Sequence, residues 1–395
     1  MKKIPTVLFL GDGMADEPLP ELGGRTPLQA ARKPGMDRIA REGRSGTLLT
    51  LPEGFPTSSD VANMSVLGCD LSKEFCGRGP LEALARGIAL GPDDVCFRVN
   101  LTTTAADGTL ADFSGGHISQ AGAEEIIAQL NSQLATEKIR FFPGVSYRSL
   151  LRLSGREFNA EVKCEKPDDH PGGVVANLLP RPETEAGRHT CDTLRALMQG
   201  AIEILKGQSA NSIWPWSGGR AGALRTLAAR YGIRSAVISA VDVINGLGHG
   251  LGMDVINVPG ATGYIDTNYE GKADAAIAAA RDYDFVYVHV EAVDEVSHAG
   301  DRALKLRAIE DFDSRLVQRV MNALGNSARY AVLPDHPVPV RLGKHTRVPV
   351  PLSICGAGFE ADGVQAFDEI AALSGALGAL RGPQLMDLLF GGGHA

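Results

Sequence analysis

The chain has 395 residues, 44% of them hydrophobic, with a net charge of -8 and a pI of about 5.6. That length fits two domains, or one large core with an insertion. The acidic balance, with no basic run, excludes a general nucleic-acid binder, and no apolar stretch approaches the 18 residues of a membrane span.

A strand is predicted over residues 5–10, running into Gly11-Asp12-Gly13. Lys2 and Lys3 before it faintly resemble a secretion signal, but the run is too short and Asp12 ends it. A helix is expected from about Pro27 to Glu42 and a strand from Ser45 to Leu51. Thr57-Ser58-Ser59-Asp60 carries N-cap chemistry and leads into Val61-Ala62-Asn63-Met64. Residues 74–91 are punctuated by glycine. From about 92 to 210 the texture changes to short alternating runs (96–101 and 149–153) and helical spacing (121–134 and 191–205), which reads as an α+β insertion. The βα alternation then returns. Helices are expected at 221–231, 271–282 and 303–324, and strands at 235–239, 285–290, 329–333 and 350–355. The six cysteines form no CxxC pair, so reduced thiols and a cytoplasmic location are expected.

Three of the strand-like runs end in carboxylates. The first ends at Asp12, the second at Asp294 with His298 four residues on, and the third at Asp335-His336 with His345 shortly after. Runs this apolar read as buried parallel strands, whose carboxyl ends line one edge of a sheet, where ligands bind. Three carboxylates brought together there repel one another strongly, and two divalent cations would resolve that. An i,i+4 Asp-His pair on a helical turn shares one face, and mixed Asp/His ligation suits Mn²⁺ or Zn²⁺, with Mg²⁺ also possible. Two such ions can clamp both oxygens of an in-line phosphoryl displacement. Ser59 stands where a loop enters a helix, so its hydroxyl can act as nucleophile or simply cap the helix, and Thr57 and Ser58 can do either. Gly246 to Gly252 does not fit GxGxxG, and Gly271-Lys272 is no Walker A loop, so no nucleotide is expected. Arg78, Arg86, Arg148, Arg220 and Lys272 are candidate anion holders, although most arginines make surface ion pairs. His117, in a glycine-softened loop, and Asp168-Asp169-His170 are candidate substrate contacts. Trp214 and Trp216 read as packing residues.

On Gly11-Asp12-Gly13-Met14, Ser59-Asp60-Val61-Ala62-Asn63-Met64, Gly77 to Glu82 and Pro259 to Lys272, the chain resembles the cofactor-independent phosphoglycerate mutases of the archaeal type, within the alkaline phosphatase superfamily. The resemblance covers nearly the whole length. It implies an α/β, alkaline-phosphatase-like core with a mainly parallel sheet flanked by helices, over residues 1–88 and 210–395, and a smaller α+β domain inserted over 89–209. It implies Ser59 as nucleophile and a phosphoserine intermediate. One metal would take Asp294, His298 and His345, and the other Asp12, Ser59, Asp335 and His336, with Mn²⁺ favoured. By the resemblance His117 would lie in the substrate cleft of the inserted domain, and no 2,3-bisphosphoglycerate is needed. Asp169, His170, Arg78, Arg220 and Lys272 are added as contacts to a small phosphorylated substrate on residue type and loop position alone, and composition leaves nucleic acid and membrane out as partners. No oligomeric state is implied. Two stretches depart from the pattern: Pro334 and Pro337 flank the Asp-His pair, and Arg347-Val348 stands where an acidic residue commonly precedes Pro-Val-Pro. The Pro-flanked form resembles a bacterial subgroup for which a homoserine kinase role has been proposed. That phosphotransfer, and plain metal-dependent phosphatase activity, are the rival expectations.

Overall fold

The structure is a computed structural model, and it describes residues 4–220 and 224–391. The chain divides into two compact units, one of residues 1–75 with 224–395 and the other Cys76–Ala223.

The first unit is built on an eight-stranded sheet. At its centre Thr6–Gly11, fully buried, pairs in parallel with Phe285–Val290 on one side and Arg329–Leu333 on the other. The register aligns Gly11 with Val290 and Leu10 with Leu333, so all three strands end at one edge. The sheet continues in parallel through Ser235–Ile238 to Asp254–Val255. On the other flank Val350–Cys355 runs antiparallel to both neighbours, Arg329–Leu333 and Gly43–Leu49. A further edge strand, Gly378–Arg381, lies beyond the last one expected. The mainly parallel α/β class is as expected.

Helices cover the sheet through one apolar cluster that includes Val7, Phe9, Val286, Val288, Ile309, Phe312 and Val332. The helix expected over 27–42 is two, Pro27–Ala30 and Pro34–Glu42, because Pro34 restarts the chain at a first helical turn. The buried Asp313 carboxylate accepts from the Gly35 and Met36 amides at 3.0 and 2.6 Å and so caps the second of these. The long helix expected over 303–324 runs as Arg302–Asp311, a π-helical stretch Phe312–Val317 and Gln318–Leu324. Of the helix expected over 221–231, residues 221–223 lie outside the described residues, and the described helix is Leu227–Tyr231.

The second unit holds an antiparallel sheet. Asp94–Thr104 pairs with Arg148–Ser154 on one side and Ser212–Arg220 on the other. Helices Gln120–Leu134 and Arg188–Ile204 share its apolar cluster. The insertion expected over 89–209 falls within this second unit, Cys76–Ala223. Ser212–Arg220 is bonded into this sheet, and helix Arg78–Ala85 packs on the same strands. That packing is close: a Cβ on Gly79 would lie 2.2 Å from the Cys96 carbonyl oxygen. Trp214 and Trp216 are buried and donate to Glu165 O and Asn100 Oδ1, in keeping with packing roles.

Phe9 is fully buried on the central strand, its ring 6.3 Å from that of Tyr330. Phe9→Ala is expected to lower stability by about 3–5 kcal/mol, measured by denaturant unfolding.

Candidate metal centre and nucleophile

Asp12 leaves the first strand on the turn Gly11-Asp12-Gly13, where Gly13 takes φ +64°. A Cβ there would sit 2.8 Å from the Asp294 Cα and Oδ1, so glycine is required by both conformation and space. Asp294 and His298 lie on the short helix Ala292–His298 that follows the second strand. Asp335 and His336 follow the third. His345 comes from the loop beyond, its Nδ1 3.1 Å from the Thr57 carbonyl. His298 Nδ1 likewise meets Gly343 O at 2.8 Å. These two backbone contacts fix both rings with their Nε2 atoms turned to each other, 2.9 Å apart.

The parts converge. Asp294 Oδ2 is 3.3 Å from His298 Nε2, and its Oδ1 is 3.5 Å from His345 Nε2. His336 Nε2 lies 3.3 Å from Asp12 Oδ1 and 3.4 Å from Asp335 Oδ2, and its ring stacks on His345. Ser59 opens helix Ser59–Val66, and its Oγ is 3.2 Å from His336 Nε2. Ser58 occupies the cap position but makes no side-chain capping bond. The Ser59 hydroxyl is thus turned toward the carboxylate cluster instead of the helix backbone.

This donor set can hold divalent cations. The ligand atoms of Asp294, His298 and His345 lie within 4.8 Å of one another, and so do those of Asp12, Asp294 and His336. Asp12 Oδ1 and His336 Nδ1 are buried without a hydrogen-bond partner. Burial, reinforced by the charges of Asp335, Glu291 and Asp294, drives the Asp12 pKa well up. Burial likewise lifts Asp335 to about 7, with Asp294 adding and Asp12 opposing. Burial alone would raise Asp294, yet hydrogen bonds from His298 and His345 hold it far below the usual carboxylate range. Burial lowers His298, but Asp294 outweighs it and lifts that imidazole to about 8.

Further residues, unremarked in the sequence, brace the site. Asn63 Nδ2 donates to Ser59 O and to Asp335 Oδ2, at 2.8 and 2.9 Å, and its own carbonyl accepts from the buried Tyr287 hydroxyl. His289 is fully buried, its Nε2 3.0 Å from Asp12 Oδ2 and its Nδ1 3.1 Å from Ser239 Oγ. Burial, with the Lys272 charge, takes its pKa down to about 3. Glu291 stands 3.8 Å from the same Nε2. One signal was available for His289: it is the single polar side chain between Val288 and Val290 in a strand otherwise apolar or aromatic.

The expected substrate contacts are placed unevenly. Lys272 is fully buried, its ammonium donating to His289 O at 2.9 Å at the end of the second strand. The Arg220 guanidinium donates to Phe158 O and Pro92 O within the second unit. Arg78 meets Glu82 at 3.3 Å and lies over the Trp216 ring. His117 is exposed at φ +53°, its amide on Ser114 Oγ, and Asp169 is exposed as well. His170 lies 3.7 Å from Glu165. The departures from the family pattern have local partners. Pro337 bridges to Met14 and Ala15, and Arg347 donates to the carbonyls of Pro52 and Phe55 in the loop before Ser59.

Divalent binding requires ionised carboxylates and neutral imidazole, whereas burial keeps protons on Asp12 and Asp335 and Asp294 keeps one on His298. The affinity for Mn²⁺ is therefore expected to rise from pH 6 to pH 8, by roughly tenfold or more, with protons released on binding. Titration calorimetry in buffers of different ionisation enthalpy checks both. Gly13→Ala is expected to weaken Mn²⁺ binding by roughly tenfold or more in the same experiment, because its Cβ displaces Asp294.

Comparison with known proteins places this geometry in a family. A family model for 2,3-bisphosphoglycerate-independent phosphoglycerate mutase matches residues 40–211. A protein of that name from Methanosarcina acetivorans is 46% identical, over 97% of this chain and 98% of its own length. Another, from Methanothermobacter thermautotrophicus, is 45% identical over 97% of this chain and 96% of its own. Among solved structures, the PH0037 protein of Pyrococcus horikoshii matches with a TM-score of 0.83 at 26% identity, covering 98% of this chain and 97% of that one. The cofactor-independent phosphoglycerate mutase of Thermoplasma acidophilum matches at 0.67 and 28% identity, covering 98% and 99%. On a likeness that runs almost from end to end, the chain belongs to the 2,3-bisphosphoglycerate-independent phosphoglycerate mutases.

Proposed function

We propose that the protein interconverts 3-phosphoglycerate and 2-phosphoglycerate in the cytoplasm through a phosphoserine at Ser59. The observation that carries this reading furthest is the Ser59 hydroxyl, 3.2 Å from His336 at the start of a helix and facing the clustered Asp and His side chains. One divalent cation, Mn²⁺ by preference, would be held by Asp294, His298 and His345, and a second by Asp12, Asp335, His336 and Ser59. When bound, the two ions neutralise phosphoryl oxygens and make the serine hydroxyl more acidic.

The residues then have separate tasks. The first amides of helix Ser59–Val66 favour an incoming phosphate. Ser59 Oγ attacks phosphorus, and the bond from phosphorus to the C3 oxygen of the substrate breaks. Ser59 gives up its hydroxyl proton and the released C3 oxygen gains one. Glycerate turns, its C2 hydroxyl takes the phosphoryl group and loses a proton, and Ser59 is restored. Neither water nor nucleotide is consumed. Asn63 holds Ser59 and Asp335 in register through the reaction. His117, Asp169, His170 and Arg78 are proposed to bind the glycerate carboxylate and hydroxyls, on the family resemblance for His117 and on their charge and polarity for the rest, and water must be kept from the phosphoserine.

With Mn²⁺ bound, the purified protein is expected to turn over 3-phosphoglycerate in an enolase-coupled assay. Ser59→Ala is expected to lower that rate by about 10⁴–10⁶-fold with the unfolding transition unchanged. Homoserine-dependent ATP consumption without mutase turnover would replace this reading with a kinase, and free phosphate release would replace it with a phosphatase. Chelation by EDTA is expected to abolish turnover, and added Mn²⁺ to restore it.

A further inference from the structure

Lys305 lies on the helix Arg302–Asp311, which follows the one that carries Asp294 and His298, and it is fully buried. A buried ammonium is costly unless its protons are all used. Here they are shared among four oxygens: Gly13 O at 3.1 Å, Ala15 O at 3.3 Å, Val338 O at 2.9 Å and the Asp16 carboxylate at 2.8 Å. The first two belong to the turn that carries Asp12. The third lies two residues beyond His336. Asp16 completes the tie, since its Oδ2 also accepts from the Val340 amide. The two segments meet directly as well, with Val338 N donating to Ala15 O and Pro337 bridging Met14. One side chain thus binds, at a single point, two loops that leave neighbouring strands and carry Asp12, Asp335 and His336.

We infer that Lys305 is a positioning residue for the metal centre: its ammonium locks the Asp12 turn onto the Asp335-His336 segment and so sets the spacing of the inner ligands. The inference rests on the metal-site reading above, and it deepens that reading without using the identity of the phosphoryl acceptor. An ordinary core residue would contribute stability alone. Lys305 contributes ligand geometry, because its partners are backbone carbonyls of the ligand-bearing loops. Outer-shell contacts of this kind commonly govern metal affinity by 10–100-fold.

The test measures Mn²⁺ binding at equilibrium, by the electron paramagnetic resonance of the free ion, alongside thermal unfolding in EDTA. The variants are Lys305→Met, the neutral pair Lys305→Met with Asp16→Asn, and Ile309→Ala. Ile309 is a buried apolar residue on the same helix whose side chain has no hydrogen-bonding group, and it serves as the control for lost stability. The neutral pair removes the carboxylate that Lys305→Met would leave buried and alone, and so remains folded if the single variant does not. The expected result is an Mn²⁺ affinity weakened about tenfold or more at one of two sites in a folded Lys305 variant, and wild-type affinity in Ile309→Ala despite its lower melting temperature. Wild-type affinity in a folded Lys305 variant overturns the inference. So does loss of fold in both Lys305 variants, since Lys305 would then serve the core as a whole. Wild-type protein that binds no Mn²⁺ overturns the metal centre itself and this inference with it.

Discussion

The mutual repulsion of buried carboxylates at the ends of three adjacent strands is the constraint around which the first unit is arranged. Asp12, Asp294 and Asp335 are almost wholly removed from solvent, and Glu291 stands beside them. A hydrophobic sheet does not gather such groups without compensation. The compensation visible in the chain itself is partial. Imidazoles reach Asp12 and Asp294, amides reach Asp335, and the Lys272 ammonium braces the strand end behind them. What is left over, buried oxygens and a ring nitrogen without partners, has the chemistry of ligands.

The sheet is what makes the convergence possible. Because the three strands are parallel and in register, their ends fall together although they lie far apart in sequence. The supporting shell is drawn from elements on several sides: Asn63 and Tyr287 beneath Ser59, His289 behind Asp12, and Lys305 across the two loops. Each residue acts through a specific acceptor or donor, so distance from the chemistry does not make it passive.

Much of this was legible in the sequence, for definite reasons. Apolar runs that stop at Asp12 and before Asp335 read as buried strands with polar ends, and the Asp294-His298 spacing reads as one face of a helix. The resemblance to a family then singled out Ser59 among three neighbouring hydroxyls, and the structure turns the Ser59 hydroxyl away from a capping role. Other features were hidden. His289 sits inside a run whose apolar neighbours mask it, and Lys272 and Lys305 look like surface lysines until the fold buries them. The strand Ser212–Arg220 contains Pro215, Gly218 and Gly219, residues that normally break strands. Its glycines are there for close approach: a Cβ on Gly219 would fall 1.6 Å from the Cys76 carbonyl oxygen.

The discontinuity of the first unit also has a bearing on the order of events at the ribosome. Thr6–Gly11, the central strand, finds its partners only at Phe285 and Arg329, whereas the second unit is one uninterrupted stretch. At about 5–20 residues per second, that strand waits roughly 15–60 s, apolar and unpaired, while the intervening residues emerge. An apolar strand left that long without its sheet neighbours is the kind of segment that pairs wrongly with other chains, so the topology that gathers the site also lengthens the interval of exposure.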